Sequence, residues 1–186
     1  MNLTRREAVI HLAALLGATV VGPRLAAATF ARQDHGFTAA EIALLDEIGD
    51  TIIPPTDVPG AKATGIGAFL AMMIADCYEP DEQRQIRDGI ARLASTYTDR
   101  FGGDFVTGPA ASRTALLNDL DREQRQYHQD LPADAPAHYF RVLKELTILG
   151  YFSSEIGATQ ALRYAEVPGG YDPDAPYTRG DRAWFN

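Results

Sequence analysis

From Ile42 onward, apolar residues recur at helical rather than strand spacing. Ile42, Leu45, Ile48, Gly49 and Ile52 return to one face and predict a helix of about four turns. Its start is marked by Phe37-Thr38-Ala39-Ala40-Glu41, with Thr38 as N-cap, Glu41 three residues on, and Phe37 placed as a staple. Its end is set by Pro54-Pro55, since proline lacks an N–H and biases the residue before it away from helical geometry. A loop rich in proline and glycine, IIPPTDVPGAKATGIGAFL, follows; it reads either as a rigid connection or as a partner-contacting loop. Ile66 to Tyr78 predicts a second helix with almost no polar face, the pattern of an element buried in the core or against another subunit.

Pro80 opens a third helix, with Ile86, Ile90, Leu93, Tyr97 and Phe101 on one side, a charged and solvated face around Arg87 on the other, and Gly102-Gly103 at its end. Two short amphipathic pieces are expected at 112–120 and 121–129, the second carrying a solvated charge run. From Pro136 the last long helix reads APAHYFRVLKELTILGYFSS. Tyr139, Phe140, Leu143, Leu146, Thr147, Gly150 and Tyr151 trace one broad face, extended by Val142, Leu149 and Phe152 until most of the circumference is apolar. Gly150 in a helix interior costs about 1 kcal/mol against alanine, a cost most simply offset if another backbone packs closely there. Ser154 and Glu155 restart a short helix to Tyr164. Residues 166–186 lack core periodicity but carry Tyr171, Tyr177, Trp184 and Phe185, aromatics that call for docking onto this domain or onto a partner. The pattern therefore predicts an all-α fold: one compact domain of five to six helices over 29–165, with an extended aromatic C-terminal tail over 166–186.

Composition narrows the partners. The chain has 186 residues and a net charge of −8, the wrong sign for nucleic-acid binding, which needs clustered Lys and Arg against phosphate. Cys77 is the single cysteine, so an internal disulfide is impossible; its apolar run suggests a buried thiol acting as a small hydrophobe, the alternative being pairing with a partner chain.

The first 28 residues read as an address. Thr4-Arg5-Arg6, a moderate apolar run from Ala8 to Val21, and the small residues Ala26-Ala27-Ala28 make a signal peptide whose A-x-A cleavage region is set by Ala26 and Ala28. Arg5 and Arg6 give it the twin-arginine character of the Tat route, which carries folded proteins to the periplasm. The run is too short and weak for a permanent membrane span, so any membrane association would come through partners.

Chemistry is sparse. His128 and His138 are ten residues apart with Pro132 and Pro136 between, so no shared helical face offers metal-ligand spacing; they read as surface or cap histidines. No carboxylate pair sits in a context that predicts desolvation, and no catalytic, cofactor or metal residue is assigned.

The segments IIPPTDVPGAKATGI (52–66) and LKELTILGYFSSEIGATQALRYAEVPGGYDP (143–173), behind a twin-arginine signal, resemble the gluconate 2-dehydrogenase subunit 3 family. The likeness is strongest to small subunits paired with glucoside 3-dehydrogenases, whose tails resemble YDPDAPYTRGDRAW but carry cysteine where this chain has Asp174. The resemblance implies a non-catalytic subunit beside a large flavoprotein of the glucose-methanol-choline type. That partner binds FAD, oxidises a sugar or polyol, passes electrons to a cytochrome c or other acceptor, lacks a signal of its own, and is exported with the small subunit. Candidate partner-contact residues are Pro54, Pro55, Asp57 and Pro59 in the loop, Gly150, Tyr151, Phe152 and Glu155 at the helix exit, and Tyr171, Tyr177 and Trp184 in the tail. Two other readings are a free-standing periplasmic binding domain and an enzyme using Glu155 beside Tyr151.

Overall fold

The structure is a computed structural model that describes residues 35–129, 131–132, 135–167, 169–170, 174 and 176–185. The expectations for Arg5, Arg6, Ala26, Ala28 and Tyr171 lie outside the described residues. Among the described residues there are five α-helices: α1 Ala39–Ile52, α2 Ile66–Cys77, α3 Pro80–Phe101, α4 Ala110–Gln129 and α5 Tyr139–Ser153. A 3₁₀ turn, Ala61–Thr64, precedes α2, and a π turn, Gly157–Ala161, follows α5. Helix α5 packs against each of the other four.

Local chemistry sets the helix ends. Thr38 caps α1 as expected, with the Glu41 N–H donating to its hydroxyl at 3.2 Å and its own N–H donating to the Glu41 carboxylate at 2.7 Å. Pro80 takes the first turn of α3, and Gly102 closes it. Helix α2 lacks a side-chain cap of its own, and Asp46 on α1 supplies one, its carboxylate accepting the Gly67 N–H at 2.7 Å. A Cβ at Gly67 would run into the Ile42 carbonyl, so this glycine lets α1 and α2 approach closely.

The core draws on every helix: Leu45 and Ile48 from α1, Leu70 and Ile74 from α2, Leu93 and Tyr97 from α3, Leu116 from α4, Leu143 from α5. Tyr97 lies between Phe101 and Phe105, with ring centroids 5.1 and 5.2 Å away.

The structure differs from the sequence expectation at several points. Residues 110–129 form one helix, not two pieces. No proline or glycine interrupts them, Leu116, Leu117, Leu120 and Gln124 keep a continuous buried stripe, and Asp119–Arg122 and Asp121–Arg125 ion pairs bridge successive turns. Cys77 is exposed, not buried: as the last residue of α2 it lies beyond the core, 3.9 Å from the Met73 sulfur. Arg87 does more than solvate the α3 surface. Its guanidinium lies 3.6 Å over the Phe37 ring and donates to the Gly36 carbonyl at 2.8 Å, fixing the entry to α1. The turn after α5 stops at Ala161, because Leu162 is extended and Arg163 pairs with the tail.

Candidate functional site

Helix α5 uses its circumference in two ways. Tyr139, Phe140, Val142, Leu143, Leu146, Thr147, Gly150 and Tyr151 face the core. The outer face is charged in its first half, at Arg141, Lys144 and Glu145, and apolar in its second. There Ile148 is 42% and Leu149 51% exposed, and Phe152 is half-buried. Two large aliphatic side chains left side by side on an outer helix face lack the covering that their sequence pattern calls for.

Gly150 and Tyr151 are placed inside the domain. A Cβ on Gly150 would meet the Phe69 ring at 2.5 Å and the Ile66 methyl at 2.7 Å, so α2 side chains, not another backbone, fill the space this glycine opens. The Tyr151 hydroxyl donates to the Pro59 carbonyl at 2.8 Å, tying the proline loop to the end of α5. Burial, reinforced by the charge of Asp57, pushes the Tyr151 pKa up and keeps the hydroxyl protonated as a donor. Gly150 and Tyr151 thus set the footing of the surface without facing outward. Pro54, Pro55, Asp57 and Glu155 are exposed, and Pro59 is partly exposed. Ser154 starts the turn beyond α5, its hydroxyl accepting the Gly157 N–H at 3.1 Å.

The proline loop stands on a charged base that the sequence reading missed. Glu47 is only 7% exposed, and its carboxylate pairs with Lys62 from the loop and Arg113 from α4. Asp50, one turn along α1, accepts the Lys62 N–H at 3.2 Å. Burial raises the Asp46 pKa, opposed by the Gly67 N–H that its carboxylate accepts. Carboxylates at 46, 47 and 50 share the side of α1 that meets the loop and α2; this spacing was the available signal, but their partners are remote in sequence.

The tail returns to the domain through its backbone. The Arg163 N–H donates to the Ala183 carbonyl at 2.8 Å, and the Phe185 N–H to the Arg163 carbonyl at 2.9 Å. Arg182 donates to the Gln160 carbonyl at 2.6 Å, and the Arg163 guanidinium lies 4.7 Å over the Trp184 ring. Docking onto the domain therefore holds for this part of the tail, yet Trp184 remains 53% exposed and Tyr177 is exposed as well.

One of the two histidines acts as a cap and the other lies against it. His138 is the N-cap of α5, its Nδ1 accepting the Phe140 N–H at 3.2 Å, while His128 Nε2 lies 3.4 Å from the His138 N–H. Burial lowers the His138 pKa, against the opposing pull of Glu123. Among the described residues no group of three or more His, Cys, Asp or Glu is placed to hold a metal ion, and no helix is long and apolar enough to cross a membrane.

Neither curated proteins nor solved structures gave a match to the chain. The family model described as gluconate 2-dehydrogenase subunit 3 matches residues 39–169, which takes in all five helices, the proline loop and the turn after α5. The exposed apolar patch and the proline loop thus both sit within the matched segment, and with most of its length so matched the chain belongs to the gluconate 2-dehydrogenase subunit 3 family.

Proposed function

We propose that this chain is the non-catalytic small subunit of a periplasmic dehydrogenase complex whose larger subunit is an FAD-dependent flavoprotein of the glucose-methanol-choline type acting on a sugar or polyol. The family supports the accessory role in a dehydrogenase complex. The observation that carries the reading further is the outer face of α5, where Ile148 and Leu149 stand exposed, a surface suited to a protein partner. FAD and substrate chemistry belong to the larger subunit, and a cytochrome c is the proposed electron acceptor of the complex.

The twin arginines at 5 and 6 give this chain the further role of export escort. A flavoprotein that must fold around FAD before crossing a membrane requires a route for folded proteins, and one signal serves both subunits if they dock first. Co-expression with Arg5→Lys and Arg6→Lys together tests the escort role. The expected result is loss of both subunits from the periplasm; flavoprotein reaching the periplasm in normal amount would refute it.

A further inference from the structure

Helices α4 and α5 enclose an open groove of about 370 Å³, walled by Gln124, Arg125 and His128 on one side and Arg141, Lys144 and Ile148 on the other. Its electrostatics run against the rest of the chain. Asp121 is shared by Lys144 and Arg125, which hold its carboxyl down to about 2, and Glu145 is taken by Arg141. Among the described residues three cations thus meet two carboxylates, leaving one positive charge in excess on a chain whose net charge is −8. Along α5 the groove passes from this cationic end to the exposed Ile148, with Leu149 beside it.

We infer that this groove is the docking site for an acidic segment of the larger dehydrogenase subunit, one that sets carboxylates against Arg141, Lys144 and Arg125 and an apolar side chain against Ile148. The inference rests on the accessory-subunit reading and says where and how the partner is held. Charge complementarity selects the occupant: a basic segment would meet the excess cation, and a purely apolar one would bury that excess charge uncompensated. The order of the two features along α5 fixes the direction in which the segment lies.

The test uses the full chain, tagged and co-expressed with the flavoprotein that co-purifies with it, reading bound flavin per small subunit. Ile148→Asp and Arg141→Glu should each lower the bound flavin about tenfold or more, and raised salt should weaken the wild-type complex. Arg84→Glu, a like charge change on the exposed surface of α3, should leave it unchanged. Thermal melts of the isolated variants, expected to match wild type, show that the fold is intact. Full flavin recovery with Ile148→Asp overturns the site, and loss with Ile148→Asp but not with Arg141→Glu overturns its acidic occupant. Wild type free of any flavoprotein overturns the accessory-subunit reading and the inference with it.

Discussion

Removing the charge of Glu47 should loosen the domain more than any other single polar change, and Glu47→Gln is the least disruptive way to do it. The carboxylate is buried and shared by Lys62 and Arg113. Lys62 is half exposed and can return to water, whereas the Arg113 side chain is only 16% exposed and keeps just the Val106 carbonyl, at 3.4 Å. Breaking a buried pair from one side costs about 3–5 kcal/mol. With Lys62 free to rehydrate, the lower end applies, about 3 kcal/mol, against a total stability of roughly 5–15 kcal/mol. For a domain of this size that lowers Tm by about 6–12 °C, measurable by circular dichroism. The double variant Glu47→Met with Arg113→Met should recover most of the loss, because an apolar pair of similar volume has no uncompensated charge to bury. A shift below about 2 °C for Glu47→Gln, or a double variant no more stable than the weaker single, would show that this buried pair does not hold the domain together.

Gly150→Leu should destabilise by about 1–3 kcal/mol in urea unfolding, since its side chain has only the space held by Phe69 and Ile66. Leu149→Asp, one residue away but facing out, should leave stability within about 0.5 kcal/mol while releasing the flavoprotein in co-purification. Thr38→Ala should cost about 1 kcal/mol through loss of the α1 cap, and part of that loss should vanish in acid. There the Glu41 carboxylate, whose pKa the Thr38 N–H and hydroxyl lower, becomes protonated in the wild type too. His138 has its pKa lowered by burial, so the unfolded chain binds its proton first. Its stabilising contribution is present above the unfolded histidine range, near 6.5, and is lost as pH falls from there through the folded value. His138→Asn, which retains a capping side chain, should flatten the fall in urea midpoint between pH 7.5 and 5 relative to wild type.

Features encoded within a few residues were legible in the chain. Thr38 with Glu41, Pro54-Pro55, Pro80 and Gly102 each act on their own backbone, and the helix boundaries follow them. The two-sided apolarity of the last helix was legible as well, because both faces are written in one stretch. What depended on distant partners was not. Glu47 meets Lys62 15 residues away and Arg113 66 residues away, so nothing near it announces burial. Gly150 signalled close packing without saying against what, and the answer, Phe69 and Ile66, moved it and Tyr151 from the outer surface to the inside. Arg87 looked like one more solvated charge, yet it reaches 51 residues back to hold the approach to α1. The candidate surface accordingly keeps Phe152 and passes from Gly150 and Tyr151 to Ile148 and Leu149.

On the proposed function, this domain holds a larger dehydrogenase subunit. Native mass spectrometry of the tagged chain purified from periplasm is the decisive test: the expected result is a discrete complex with one flavoprotein whose released cofactor has the mass of FAD. A small subunit recovered as a stable monomer, with the flavoprotein active and fully soluble without it, would contradict the claim.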